Sequence, residues 1–229
     1  TGIMYTGFAL LFLMSEKSRH ASPEHAHKKQ SILLCFILFV SLCLRIYISS
    51  LVEGYMVDVN CFLSWGQTMA SYGPVQFYEA TSFCDYPPLY TYILGLNSTV
   101  TGLLGGGTVT ARIVFRFIPS LCDILACWFV YHLLIVKKGI STSSAFAFVC
   151  FLAFNPAFIL NSAAWGQMDS VLCLLLLAVA VYSQEDKWLI SLPLYVIAVL
   201  IKPQALMLGS LGLTYILITW IKNKGQRKS

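Results

Sequence analysis

The sequence predicts an all-α protein, a polytopic bundle of transmembrane helices with a long extracytoplasmic first loop. Of its 229 residues, 58% are hydrophobic and only 11% are charged, whereas a soluble domain has about 25% charged residues. The apolar residues form long blocks, and the basic residues cluster in the short segments between these blocks. This pattern is typical of membrane-spanning helices with basic cytoplasmic loops. We therefore interpret the net charge of +5 as a membrane-orientation signal and expect no nucleic-acid partner.

The first 30 residues are predicted to lie outside the bundle proper. Residues 1–14 are apolar but shorter than the roughly 20 residues of a full span. The polar and basic stretch that follows, up to Gln30, is predicted to be a cytoplasmic linker. Because the chain begins with Thr1 inside an apolar run, we expect it to be a fragment or a processed product of a longer protein.

Residues 31–229 are predicted to form the transmembrane module. Residues 108–116 have basic side chains at Arg112 and Arg116, one helical turn apart, and are predicted to form a separate amphipathic segment. The pair Asn155-Pro156 is expected to break or kink a helix. The predicted spans are 31–50, 117–136, 143–159, 171–182 with its flanks, 188–201 and 205–221, and 87–104 is the weakest.

The distribution of basic residues determines the predicted orientation of the protein in the membrane. The linker, the pair Lys137-Lys138 and the basic tail share the cytoplasmic side only if residues 87–116 make no net crossing. The loop of residues 53–90, the sequence WGQMDS at 165–170 and the sequence KPQ at 202–204 then meet at the extracytoplasmic face. We expect a multi-pass protein of the plasma membrane or of an ER-type membrane.

The loop of residues 53–90 contains four of the ten acidic residues of the chain. Asp58 follows shortly after a span, where a carboxylate marks a functional site or caps a helix at the membrane boundary. Asp85 precedes Pro87 and Pro88, which start helices well, so it either serves the site or acts as an N-cap. Both interpretations remain open for each residue.

Several further polar residues could bind a substrate, and each also has an ordinary structural role open to it. Asp169 could cap a helix, Lys202 could snorkel to the interface, and Arg112 and Arg116 could anchor lipid head groups. Asp123 lies inside a span and is expected to face the bundle. Asn97-Ser98-Thr99 matches a glycosylation sequon within an apolar segment.

The eight cysteines and the histidines show no metal-site spacing. Most of the cysteines lie in apolar runs and are interpreted as small buried hydrophobic residues. Cys61 and Cys84 lie in the 53–90 loop, where a disulfide could form in an oxidising compartment. We expect no cofactor and no divalent metal.

Taken in order, these motifs resemble the GT-C superfamily of polytopic glycosyltransferases. The likeness covers residues 31–215 and is most specific in DYPPL at 85–89, in GQMDS at 166–170 and in KPQ. It is greatest to the GPI mannosyltransferases with their bacterial relatives, and to the dolichyl-phosphate-glucose glucosyltransferases. Members of this superfamily are longer than this chain, which corresponds to their N-terminal module.

The resemblance implies an inverting transfer of a hexose, mannose-like, from a polyprenyl-phosphate sugar to a lipid-linked or cell-envelope acceptor at the extracytoplasmic face. It implies that Asp58 is the general base and that Asp85 positions the acceptor or the base. The lipid bilayer and the lipid-linked donor are the expected partners. The expected substrate-binding residues are Trp65, Tyr86, Arg112, Arg116, Trp165, Gln167, Asp169, Lys202 and Gln204.

Two other functions remain open. A transporter or flippase-like protein could use Asp123 and Asp169 as ion or proton sites. That class is expected to contain broken helices in related halves, and the sequence has no internal repeat. A non-catalytic accessory subunit of a membrane complex would suit the short length of the chain.

Overall fold

The computed structural model describes residues 24–210 and 212, and these residues form helices with no β-strand among them. The predictions for residues 1–23, for most of the span 205–221 and for the basic tail lie outside the described residues. The helices are α1 (Glu24–Leu51), α2 (Met56–Ala80), α3 (Pro88–Leu103), α4 (Thr108–Val136), α5 (Thr142–Ala153), α6 (Pro156–Ile159), α7 (Asp169–Gln184) and α8 (Trp188–Ile201). A π-helix, Leu160–Trp165, follows α6, and a 3-10 turn, Pro203–Ala205, follows α8.

Within the described part of the chain, two helices are long and apolar enough to cross a membrane. They are α1, from Gln30 to Leu51, and α4. Helix α5 and the segment Pro156–Trp165 make a third candidate if one span includes the 42° bend between them. That bend lies at Asn155-Pro156, as the sequence predicts. Helices α7 and α8 have 16 and 14 residues, fewer than the roughly 20 of a complete span.

The predicted first loop is largely helical, which corrects the sequence interpretation. Helix α2 occupies 25 residues of it and kinks at Gly73, which has φ +72° and precedes Pro74. Of the four acidic residues in this segment, Asp58 and Glu79 lie on α2, whereas Glu53 and Asp85 lie outside the helices. Phe62 of α2 contacts Tyr90 of α3, with ring centroids 5.4 Å apart. Gly66 lies against the backbone of Leu94, so the part of α2 before Gly73 and α3 pack side by side and run in the same direction.

Helices α1 and α4 pack antiparallel. Arg45 pairs with Asp123, and further along α1 the carbonyl of Ser49 accepts from Arg116. The carboxyl end of α1 therefore meets the amino end of α4, so residues 52–107 leave and rejoin the bundle at one end, the Arg116 end. Residues 108–116 are not a separate amphipathic segment, because they form the first turns of α4.

The opposite end of α4 carries the second basic cluster. Lys137, just past α4, forms an ion pair with Glu185, which follows α7. The Lys137-Lys138 pair and the polar turn at residues 183–187 therefore lie together, away from the Arg116 end.

A buried ion pair joins α1 to α4. Arg45 is fully buried, and its Nε donates to Asp123 Oδ2 at 3.2 Å. Its Nη1 donates to the Ser41 hydroxyl and to the carbonyl of Ala153 in α5. Asp123 is only 6% exposed, which confirms that it faces the bundle. Because an unpaired charge inside an apolar bundle is very costly, this network fixes the register of three helices.

We expect Arg45→Met and Asp123→Leu, each made alone, to lower the free energy of unfolding by about 3–5 kcal/mol. Each substitution leaves the charge of the other residue buried without a partner. The double variant should lose less than the sum of the two, because neither charge remains. The measurement is a denaturant titration in detergent micelles, followed by circular dichroism.

Glu53→Gln is the matched control for these variants. Arg112 Nη1 lies 3.9 Å from Glu53 Oε1, and the Glu53 side chain is 74% exposed, so its loss should cost less than about 1 kcal/mol. A stable Arg45→Met variant, or strictly additive losses in the double variant, would contradict the coupling.

Candidate functional site

Asp58 lies in the first turn of α2, at the Arg116 end of the bundle, and holds two hydrogen bonds from a distant part of the chain. Its Oδ2 accepts from Trp165 Nε1 at 2.9 Å and from Gln167 Nε2 at 2.8 Å. The N-cap of α2 is Tyr55, so Asp58 does not cap this helix. Oδ1 has no hydrogen-bond partner within residues 24–210 and 212. The carboxylate is thus held through one oxygen and leaves the other available.

The two donors are presented by the π-helix and the turn after it. Gly166 ends the π-helix with φ +85°, in the left-handed region that favours glycine. Its amide and that of Gln167 both donate to the carbonyl of Asn161. A Cβ at Gly166 would lie 2.4 Å from Phe115 Cε1. The turn that aims Trp165 and Gln167 at Asp58 therefore requires glycine for its backbone conformation and for its close packing on α4.

Asp169 and Lys202 form a second polar pair at the same motif. Lys202 Nζ donates to Asp169 Oδ1 at 2.5 Å, and Asn161 Nδ2 donates to Asp169 Oδ2 at 3.0 Å. The N-cap of α7 is Met168, so Asp169 begins that helix and is not its cap. The Lys202 side chain is 11% exposed and that of Asp169 is 40% exposed. Lys202 is therefore a largely buried cation and not a snorkelling one.

The phenol of Tyr86 lies close enough to three carboxylates, those of Asp85, Asp169 and Asp58, to be affected by their charges. Burial of its phenol, together with the charges of Asp85, Asp169 and Asp58, raises the pKa of Tyr86 to about 12. The phenol therefore stays neutral at physiological pH and can donate a hydrogen bond. Its ring packs 5.8 Å from Trp65 between centroids. Tyr86 is half-buried, and its ring also packs on Phe62 and Tyr90.

Arg116 has a structural role that the sequence interpretation missed. It is fully buried. Its Nη1 donates to the carbonyls of Ser49 and Val52, and its Nη2 to that of Glu53. These carbonyls end α1, where no intrahelical donors remain and the helix dipole favours a cation. Arg112 donates to the neighbouring carbonyl of Ser50. Both guanidinium groups are used to cap α1, so a phosphate would have to displace these bonds.

An apolar groove lies directly beside Asp58. It has a volume of about 510 Å³. The exposed Tyr55 and Trp165 line it, with ring centroids 6.3 Å apart and nearly perpendicular planes. The same indole that donates to Asp58 thus forms one wall of the groove. The remaining lining residues are Val52, Gly54, Leu160 and Ala164.

Besides Arg112 and Arg116, three predicted site residues lie elsewhere or make no bond at the site. Trp65 is buried in the core, where its Nε1 donates to the carbonyl of Phe83 at 2.6 Å. Asp85 is exposed and lies before Pro87, which is the N-cap of α3, so the N-cap interpretation of Asp85 is wrong. Gln204 is exposed in the 3-10 turn. The structure thus brings together Asp58, Tyr86, Trp165, Gln167, Asp169 and Lys202.

Two residues of the site were not anticipated. Asn161 is one, because its Nδ2 donates to Asp169 Oδ2. Gly54 is the other, because a Cβ at this position would lie 2.5 Å from Arg116 Nη2 and would prevent the close contact with Arg116. A signal for Asn161 was present, since a polar residue interrupts an apolar run eight positions before Asp169. In the described residues no group of three or more histidines, cysteines or acidic residues could hold a metal, and Cys61 and Cys84 are free thiols.

Comparison of the chain with protein-family models, with curated protein sequences and with solved structures finds no match.

We expect Gly166→Ala to destabilise the protein more than Gly139→Ala does. Gly139 also has positive φ, +60°, but a Cβ there meets nothing within 4 Å. It should cost only the left-handed penalty of about 1–2 kcal/mol, whereas Gly166→Ala adds about 1–3 kcal/mol of overpacking. The measurement is the free energy of unfolding in micelles. Equal losses would show that the turn does not pack tightly on Phe115.

Proposed function

We propose that this protein is a membrane glycosyltransferase that moves a hexose from a polyprenyl-phosphate sugar to an acceptor hydroxyl at the Arg116 end of the bundle. The observation that supports this best is the placement of Asp58. A carboxylate that accepts hydrogen bonds from Trp165 and Gln167 lies next to an apolar groove, of which Trp165 forms one wall, at the Arg116 end of the bundle. This combination suits a substrate with a lipid chain and a polar head.

Asp58 has the geometry of a general base. A general base must lie within hydrogen-bond reach of the proton that it removes and must be held in place. Both donors bind Oδ2, so the lone pairs of Oδ1 remain for an acceptor hydroxyl. Because the donors come from residues 165–167, far along the chain, the carboxylate is oriented by tertiary structure and does not depend on α2 alone.

The groove suits the lipid part of the donor. Its walls are apolar and include the exposed rings of Tyr55 and Trp165. An isoprenoid chain lying there would bring its phosphate and sugar to the edge where Asp58 lies. Exposed aromatic rings at a membrane boundary also favour contact with lipid head groups, so this side of the groove is suited to ligand entry from the bilayer.

The transfer is a single displacement in this proposal. The acceptor oxygen bonds to the anomeric carbon while the bond from that carbon to the phosphate oxygen breaks. The bonding electrons go to the phosphate, the hydroxyl proton goes to Asp58 Oδ1, and the anomeric configuration inverts. Lys202 lies beside the site and has N–H groups beyond the one bound to Asp169. These would stabilise the charge that develops on the leaving phosphate.

The alternative of an ion or proton transporter is weaker on this geometry. Each of its two proposed carboxylates is already paired, Asp123 with Arg45 and Asp169 with Lys202. The second alternative, a non-catalytic subunit, would use the groove but would not need the oriented carboxylate. A turnover assay separates that function from ours.

We expect Asp58→Asn to lower transfer from a polyprenyl-phosphate sugar by about 10²-fold or more, because the amide cannot take the hydroxyl proton. The donor KM should change little, since the base does not hold the phosphate. Lys202→Met should instead raise the donor KM. Initial rates are measured with purified protein, or with the complete protein if the chain proves to be a piece of it.

Glu79→Gln serves as the control, because Glu79 is exposed and lies in the same 53–90 segment. Asp85→Asn should lower the rate less than Asp58→Asn does. Near wild-type turnover of Asp58→Asn would exclude Asp58 as the base and transfer the assignment to Asp85.

We also expect the site and the Lys137-Lys138 pair to face opposite sides of the membrane, because they lie at opposite ends of α4. Single cysteines at the exposed positions Asn60 and Lys138, in a background without the native cysteines, should react with an impermeant maleimide from opposite sides of sealed vesicles. Labelling of both from the same side would contradict this orientation.

A further inference from the structure

A second cavity lies between α2, α3 and the first turns of α4, and its chemistry differs from that of the apolar groove. Its volume is about 310 Å³, at the lower end of the usual range for ligand pockets. Its walls combine neutral polar groups with the aromatic rings of Phe62 and Phe115. The polar lining residues are Gln67, Asn97, Ser98 and Thr101, and none of the described residues that line the cavity is charged.

Asn97 is the residue that points to a ligand. It is only 8% exposed and lines the cavity. Its side-chain amide has no hydrogen-bond partner in the part of the chain that the structure describes, although its backbone carbonyl accepts from Thr101. The amide is therefore free to bond with a molecule in the cavity, and an amide both donates and accepts. A ligand that fills this cavity should therefore offer a donor and an acceptor together, as a hydroxyl group does.

The absence of charge in these walls limits the chemistry of the ligand. A phosphate or carboxylate would meet no cation among the lining residues, and its transfer from water would be costly. A purely apolar ligand would leave the Asn97 amide unsatisfied. A neutral ring that carries several hydroxyl groups satisfies both conditions, because its hydroxyls can meet the amide and hydroxyl side chains while its C–H face packs on Phe62 or Phe115.

The cavity begins close to the proposed base. Phe62 follows Asp58 by four residues on α2, about 6 Å along the helix axis. Phe115, on the opposite wall, precedes Arg116 and packs on Phe62 with centroids 5.4 Å apart. A ring bound in the cavity would therefore lie on the α3 side of Asp58, whereas the apolar groove lies on the Trp165 side.

We propose that this cavity binds a neutral sugar ring, and, resting on the function proposed above, that this ring belongs to the acceptor. The donor and the acceptor then approach Asp58 from two different sides, one apolar and one polar but uncharged. This assigns Asn97 a ligand-binding role. The same residue lies in the sequon Asn97-Ser98-Thr99, but its burial in the cavity keeps the amide from being presented at the surface.

Gly102 offers a way to block the cavity without disturbing its frame. It lines the cavity, and a Cβ built there meets nothing within 4 Å. Gly102→Trp should therefore fill the space, and Asn97→Leu removes the amide at nearly constant size. Gly212→Trp is the matched control, because Gly212 is an exposed helical glycine whose Cβ also meets no atom of the described residues within 4 Å.

The experiment measures binding of methyl α-mannoside and methyl α-glucoside to the full chain in lipid nanodiscs by saturation-transfer NMR, without a donor. We expect binding that weakens about tenfold or more in Gly102→Trp and Asn97→Leu, and that is unchanged in Gly212→Trp. Thermal unfolding of each variant verifies that it is folded. Failure of both glycosides to bind, unchanged binding by Gly102→Trp, or a preference for mannose 6-phosphate would overturn the proposal.

The same variants separate this proposal from the transferase function. Glycoside binding that depends on Asn97 and Gly102, with no transfer by the wild type, would support the cavity as a carbohydrate site and contradict the transferase. Transfer by the wild type with an acceptor KM that is unchanged in Gly102→Trp would support the transferase and contradict the cavity assignment.

Discussion

The candidate site depends on the guanidinium of Arg116. It binds three carbonyls at the carboxyl end of α1. Two glycines lie close to the Arg116 side chain: Gly54, from the segment before Asp58, faces Nη2, and Gly166, from the turn after the π-helix, faces Cγ. A single cation therefore fixes the end of one helix and brings together the two chain segments that carry Asp58 and its donors. Without this cap, the last carbonyls of α1 would be unsatisfied in an apolar setting, and both segments would lose their common support.

The buried polar groups divide the bundle into a rigid interior and an adaptable end. Arg45 and Asp123 join α1, α4 and α5 in the interior. A shift of one of these helices along another would leave a buried charge without its partner. At the Arg116 end, the polar contacts of Asp58 and Asp169 lie at helix starts and in turns, with side chains partly accessible. A ligand can therefore exchange contacts at this end while the helices that support it stay fixed.

The sequence predicted the helical class, the break at Asn155-Pro156 and the burial of Asp123, because each follows from local composition or from the cost of a charge in an apolar span. It also singled out Asp58 and residues 165–169, which the fold brings together. It failed for the 53–90 segment, where polar and aromatic residues suggested a loop although they suit one side of α2. It also missed the capping by Arg116 and the pairing by Arg45. Those roles depend on which helix lies opposite. The only local indication in the sequence was the four-residue spacing of Ser41, Arg45 and Ser49, which places three polar residues on one side of α1.

The π-helix at Leu160–Trp165 has a consequence for how this site could arise and be lost. A π turn holds one residue more than an α turn, and each residue of a regular helix rotates the following side chains by about 100°. Loss of a single residue in this stretch would leave the fold of the surrounding helices intact but turn Trp165 and Gln167 away from Asp58. A one-residue deletion here would thus remove the two hydrogen bonds that orient the carboxylate, and related chains could share the whole bundle while differing in whether these bonds hold their aspartate.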